Sequence, residues 1–389
     1  MLSRRRIPIF DGHNDVLLRL WRRGVPDAVK TFLEGETEGQ LDFPKTWQGG
    51  FAGGLFAIFV PSAERVPPAY RPDEHKTGSG DNESSAIAPP GIALTQAQRA
   101  VFAMSALLFR MARESKGALR VCRNVEEIEH CLDGRVLAAV LHIEGAEAID
   151  ENFEVLEVLH AAGLRSLGPV WSRPNAFGHG VPFRCPASPD TGPGLTDLGK
   201  TLIRVCNELK ILIDLSHLNE QGFWDVAGVS DAPLVATHSN AHGVSPHSRN
   251  LTDRQLAAIR ESQGLVGVTF ATSYLRSDGD READTTADLI LKHVDHLLEY
   301  VGEDGIGFGS DFDGAKMPAG LGSAAELQTI VRLLRSRGGF GEPLIEKLCF
   351  KNWLRVLRRT WGPARGRHHK EQRPTTKRSG AMEGGRRRS

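Results

Sequence analysis

Ile7-Pro8-Ile9-Phe10-Asp11-Gly12-His13-Asn14-Asp15 is the stretch from which the rest of the chain is read. An apolar run, read as a strand, ends in His13 and Asp15. The two stand two residues apart, so on an extended backbone both side chains leave the same face. An imidazole and a carboxylate aimed at one point suit a zinc-like divalent cation. The plainer alternative is a strand-end turn in which they only cap backbone groups. The choice rests on whether the same event recurs downstream, and it does.

Eight short apolar runs follow one another at 7–10, 55–60, 136–143, 164–170, 211–215, 234–237, 265–269 and 305–309. Most are continuous in Val, Ile, Leu and Ala, as strands buried on both faces are. Amphipathic segments at 195–209, 253–262 and 286–301 lie between them. Strand and helix alternating in this way predict an α/β protein, a (β/α)8 TIM-type barrel. The barrel is expected to occupy 1–362 as one domain, closed by an amphipathic helix at 344–361, with a basic, disordered tail at 363–389. Two segments depart from the pattern. The Pro/Gly/Ser-rich stretch 62–90 reads as a surface loop. The stretch 175–194 holds four Pro and four Gly and follows the fourth run, where barrel loops form the rim of a site.

Composition narrows the function. Formal net charge is zero over 389 residues, so the molecule as a whole is not a nucleic-acid binder. Positive charge gathers from Ala364 onward, with nine Arg or Lys against two Glu, a solvated tail or a docking element for nucleic acid or an anionic surface. The five cysteines are scattered without a CxxC pair, which predicts reduced thiols and a cytoplasmic protein. No apolar h-region precedes the first strand and no segment reads as a membrane span.

The polar residues at the run ends carry the chemistry. The third run ends in His142-Ile143-Glu144, the fifth in Asp214-Leu215-Ser216-His217, the sixth in Thr237-His238, and the eighth in Ser310-Asp311-Phe312-Asp313. In a barrel all these ends meet at one face. One such His would read as a packed core residue; several strand ends supplying His, Asp or Glu together read as a metal site. Three His with two carboxylates exceed the needs of one tetrahedral zinc and fit two cations bridged by a carboxylate. A hydroxide held between them is nucleophilic at neutral pH, and a further carboxylate can handle protons. The implied chemistry is metal-assisted hydrolysis of an amide. His142 and Asp214 read equally as supports for ligands or as structural groups. Asp313 reads as a turn residue, His242 and His247 as rim residues, and His179 as a candidate donor to substrate.

With these motifs in hand, the chain resembles the membrane dipeptidase (renal dipeptidase) family of zinc peptidases, peptidase family M19, among the amidohydrolase-like barrels. The stretches that carry the likeness are Asp11-Gly12-His13-Asn14-Asp15, Ile143-Glu144-Gly145, Asp214-Leu215-Ser216-His217, His238-Ser239-Asn240-Ala241, Ser248-Arg249-Asn250 and Ser310-Asp311-Phe312-Asp313-Gly314. The resemblance implies a dipeptidase holding about two zinc ions per chain. His13 and Asp15 would hold one, His217 and His238 the other, with Glu144 bridging. It further implies Asp311 as the acid/base, Arg249 as the partner of the substrate carboxylate, substrate contacts around Trp171 and Asn175, and a homodimer. Three positions depart from the family. Ala146-Glu147 stands where Gly-His is common, Trp171 replaces a substrate-contacting His, and Phe270-Ala271 lies where a Tyr is often found. These leave the metal ligands intact and alter the substrate shell, so a different small amide or lactone, or a silent metal-binding barrel, are the competing readings.

Overall fold

The computed structural model of the protein describes residues 6–24, 27–62 and 91–363. The surface loop expected at 62–90, beyond its first residue, and the tail from 364 lie outside the described residues. The strands are β1 (Ile9–Asn14), β2 (Phe51–Phe59), β3 (Leu119–Val121), β4 (Leu137–Glu144), β5 (Leu164–Gly168), β6 (Leu212–Ile213), β7 (Val235–Ala236), β8 (Leu265–Val268) and β9 (Ile306–Phe308). All pair in parallel, in the order β6-β5-β4-β2-β1-β9-β8-β7. The ends of this path meet where Asp214 bridges to Val235 and the Leu215 N–H donates to Val235 O at 2.8 Å. An eight-stranded ring alternating with helices results, and each expected run contributes one strand to it.

β3 is the element the sequence reading lacks. It pairs Leu119 through Val121 with Leu137 through Ala139 of β4, on the early part of an edge that β5 takes up from Leu141 onward. Three residues with only the first buried give too short a pattern to stand out. The ring strands read as continuous apolar runs for the expected reason. Every residue of β4 is buried, one face in the barrel interior and the other under helices.

Helix starts are set by local hydrogen bonds. Thr196 caps Asp197–Leu209 through the Gly199 N–H at 3.0 Å. Thr252 and Gln255 form a reciprocal capping box at the head of Asp253–Glu261, which fixes where the loop carrying Arg249 must end. The closing helix expected at 344–361 is present as helical turns from Glu342 to Trp361, with a wide turn at Lys347–Lys351. It does more than cover the barrel. Fully buried Trp353 enters the base of the ring, 6.1 Å from the Phe10 ring, and its indole N–H donates to Phe308 O at 3.0 Å. A Cβ at Gly12 would stand 2.4 Å from Trp353 Cζ2, and one at Gly307 would stand 2.5 Å from its Nε1, so both glycines exist to admit this ring. Among the described residues no helix is long and apolar enough to cross a membrane.

Candidate metal centre

The C-terminal strand ends converge around Glu144. Its Oε1 lies 2.9 Å from His217 Nε2, 3.3 Å from His238 Nε2 and 3.7 Å from His13 Nε2. His217 and His238 face each other Nε2 to Nε2 at 3.0 Å, and His13 Nε2 is 3.5 Å from Asp15 Oδ2. All five side chains are buried. Two groups of donors emerge, each within 4.8 Å: Glu144 with His217 and His238, and His13 with Asp15 and Asp311. His13, Asp214 and His238 satisfy the same distance, but both Asp214 oxygens already accept hydrogen bonds from Ser216 and Thr237.

The donor set fits divalent cations. Two imidazole nitrogens at 3.0 Å either share a proton or face a common cation, and both ring nitrogens of buried His13 lack a hydrogen-bond partner. Burial pushes Glu144 up to about 8 and Asp311 up to about 7. Burial pulls His13 down, yet Glu144, Asp15 and Asp311 outweigh it and hold the imidazole up to about 10. His217 and His238 are driven well below the ordinary value by burial and by neighbouring cationic groups, and so stay neutral. The cluster therefore demands positive charge. A proton on His13 supplies some of it, and a bound cation would take the place of that proton.

A supporting layer sets the tautomers. Thr237 Oγ1 donates to Asp214 Oδ2 at 2.6 Å and is 2.9 Å from His238 Nδ1. The hydroxyl proton is engaged by Asp214, so His238 Nδ1–H is the donor and Nε2 is left with its lone pair toward Glu144. Ser172 Oγ lies 2.7 Å from His217 Nδ1 and orients that ring. Asp11, unassigned by the sequence reading, ties the first strand to the last. It accepts from the Ser310 N–H at 2.6 Å and the Ser310 hydroxyl at 2.9 Å. His142 bonds Ser166 Oγ at 2.8 Å and lies 3.7 Å from Asp214 Oδ2, beneath the ligands.

Asp311 is held by its N–H donating to His13 O at 3.0 Å, in a left-handed backbone with φ 64°; His217 is likewise left-handed at 69°. Non-glycine residues in this region are strained and gather at functional sites. A Cβ at Gly314 would stand 2.1 Å from Asp15 Oδ2 and 2.4 Å from Asp311 Oδ1, so glycine there lets both carboxylates approach. Asp313 turns away, to Gln40 N at 2.7 Å and Arg19 Nε at 2.9 Å.

Arg249 is not a rim residue. It is 3% exposed, reaches back to His238 O at 3.3 Å and Ser239 Oγ at 3.4 Å, and keeps its buried Nε without a partner. Among the described residues no carboxylate forms an ion pair with it. The Tyr274 ring lies 5.4 Å from its guanidinium carbon. Tyr274, from the short helix Thr272–Leu275, is an aromatic the sequence reading missed; the signal was its place four residues beyond Phe270. His247 also departs from the rim reading. It is buried, accepts from the Arg249 N–H at 3.1 Å, and burial lowers it to about 3. His242 bonds Ala187 O at 2.9 Å and His179 bonds Gly194 O at 3.2 Å, so both fasten the 175–194 loop.

Trp171 lies 5.7 Å from His217 and 4.8 Å from Phe59, ring to ring. Beneath it, fully buried Arg173 joins two of the three departures from the family. Its Nε donates to Glu147 Oε1 at 2.7 Å, and its guanidinium carbon lies 5.3 Å from the Trp171 ring and 5.2 Å from Phe59. Asn175 differs from the expected substrate contact. Its Nδ2 donates to Pro169 O at 2.9 Å and its Oδ1 accepts from the Phe177 N–H at 2.8 Å, so its amide shapes its own loop.

A (β/α)8 barrel with a His/carboxylate cluster at the C-terminal ends of its strands defines the class of metal-dependent hydrolases. The chain belongs to the membrane dipeptidase family (peptidase family M19), whose sequence model matches residues 3–371. It is a metallo-dipeptidase by that membership. A protein of Acinetobacter calcoaceticus, described as an uncharacterized protein in the PQQ-III 3′ region, is 44% identical over 297 residues, 76% of this chain and 91% of that one. The dipeptidase aclJ of Aspergillus oryzae is 27% identical over 360 residues, 90% of this chain and 78% of that one. Among solved structures, a metallo peptidase from Rhodobacter sphaeroides liganded with a phosphinate mimic of the dipeptide L-Ala-D-Ala is 49% identical with a TM-score of 0.84. The match covers 92% of this chain and all (100%) of that one.

Proposed function

We propose that the protein hydrolyses dipeptides at a centre of two zinc ions, with His13 and Asp15 holding one, His217 and His238 the other, and Glu144 reaching both. The observation that carries this reading is Glu144 Oε1 lying within 3.7 Å of three imidazole nitrogens, each on a different strand end. Such cations, when bound, polarise a carbonyl oxygen and make water acidic enough to attack near neutral pH. The chain's own residues do the rest. Asp311, with its carboxyl near neutrality, accepts a proton from the attacking water and delivers it to the leaving amine nitrogen as the C–N bond breaks. Arg249 pairs with the terminal carboxylate of the substrate, for which a guanidinium offers two parallel donors. Because a dipeptide keeps that carboxylate one residue from the scissile bond, a fixed cation beside the metals selects dipeptides over longer chains.

The phosphinate mimic of L-Ala-D-Ala bound by the Rhodobacter sphaeroides relative supports small dipeptides, a D-residue at the C-terminal position included, as substrates here. A reducing, cytoplasmic setting is proposed from the sequence alone, whose five cysteines are scattered without a CxxC pair. Hydrolysis of a dipeptide set by the zinc-loaded protein, abolished by a chelator and restored by zinc, tests the reading. Metal-loaded protein that cleaves an N-acyl amide or a lactone but no dipeptide would overturn it.

A further inference from the structure

Loop 175–194 is fastened on both sides of Phe183. The Val181 N–H donates to His217 O at 2.8 Å, and the Ser248 hydroxyl bonds Pro182 O. The Ser248 N–H donates to Arg184 O at 2.9 Å, and the Ala187 N–H to Pro246 O at 2.8 Å. One set of ties runs to a ligand residue of the metal cluster, the other to the neighbour of Arg249. Phe183 sits between them, 40% exposed. Single exposed apolar side chains are ordinary. This one is distinguished by a backbone that holds it rigidly and by what it faces.

The Phe183 ring stands edge-on to His217 at 6.1 Å, 5.4 Å from Trp171, and parallel to Tyr274 at 6.4 Å. Tyr274 in turn lies over Arg249 at 5.4 Å. Phe183 and Tyr274 thus span the distance from the metal cluster to the guanidinium. In a bound dipeptide that distance is covered by the C-terminal residue, whose nitrogen belongs to the scissile bond and whose carboxylate belongs to Arg249. We infer that Phe183, with Tyr274, forms an apolar wall that receives the side chain of the C-terminal residue and sets the preference there. Trp171, 5.4 Å from Phe183 and 5.7 Å from His217, borders the other half of the substrate. The inference rests on the dipeptidase reading above.

The test compares Ala-Gly, Ala-Leu and Leu-Gly on the zinc-loaded wild type, Phe183→Ala and Phe183→Leu, with metal content and Tm measured on each. In Phe183→Ala the ratio of kcat/KM for Ala-Leu over Ala-Gly is expected to fall about tenfold, the scale of a lost apolar contact in a specificity pocket. The ratio for Leu-Gly over Ala-Gly is expected to hold. Phe183→Leu keeps apolar bulk and retains most of the Ala-Leu preference. An unchanged Ala-Leu ratio, or a fall confined to Leu-Gly, overturns the assignment while leaving the dipeptidase reading in place. Wild type that cleaves none of the three overturns both.

Discussion

His217 and His238 meet Nε2 to Nε2 at 3.0 Å although they follow different strands, β6 and β7, which meet each other through one backbone bridge. Both nitrogens lie within 3.3 Å of Glu144 Oε1. The bridged-site reading predicts about two divalent ions per chain. His238→Ala should lose one ion and most activity, as measured by metal analysis of purified protein. An active preparation with one ion or none would exclude the bridge.

Asp311 has the geometry of a proton carrier beside the His13 and Asp15 pair. Asp311→Asn should keep the fold and lower kcat by roughly 10²–10⁴, the usual range for a general acid or base. Near-normal kcat would move the role to another group.

Arg249 reaches the site from a loop whose end is fixed by the Thr252 cap. Arg249→Met should cost about 1.5–3 kcal/mol in kcat/KM for free dipeptides, the scale of a charge-assisted hydrogen bond. It should matter much less for a dipeptide amide, which has no carboxylate to lose. Equal losses on acid and amide would make Arg249 a structural residue.

Thr237 links Asp214 to His238, so it would act on a metal held by His238 without touching it. Thr237→Val keeps the shape and removes the acceptor for His238 Nδ1–H. Metal affinity should fall about 10–100-fold, the range for groups behind a ligand. Titration with a competing chelator measures this, and unchanged affinity would show that the tautomer is set without Thr237.

His293 predicts a pH dependence of stability. Its Nδ1 accepts from the Ala241 N–H at 3.2 Å and its Nε2–H donates to Leu275 O at 3.1 Å, joining the segments that lead to Arg249 and Tyr274. Burial lowers it from 6.5 to about 4. Below 6.5 the unfolded chain takes up a proton that the folded chain refuses, so this group withdraws stability as pH falls from 6.5 toward 4. At about 1.4 kcal/mol per unit the loss reaches about 3 kcal/mol. His293→Gln, which keeps a donor and an acceptor, should flatten the decline in urea midpoint between neutral and mildly acid pH. An identical slope in the variant would assign the effect to other groups.

Much of this protein is written locally. Continuous apolar runs mark strands covered on both faces, and their polar ends mark the C-terminal rim of a parallel barrel, because a strand's direction fixes which end of it faces the loops. That made the barrel legible, together with His13, Asp15, Glu144, His217, His238 and Asp311 as one group. Side-chain pairing across the ring was not legible. Asp11 meets Ser310 across 299 residues, Arg173 meets Glu147 across 26, and Trp353 enters the strands from a helix at the end of the chain. Such contacts depend on closure of the whole ring and on the exact path of the loops, neither of which leaves a periodic trace. Tyr274 and Phe183 are the functional case. Nothing near Phe183 in sequence sets it apart from an ordinary loop aromatic, and the fastening of loop 175–194 to His217 and Ser248 carries it to the metal cluster, where it meets Tyr274 of the short helix Thr272–Leu275.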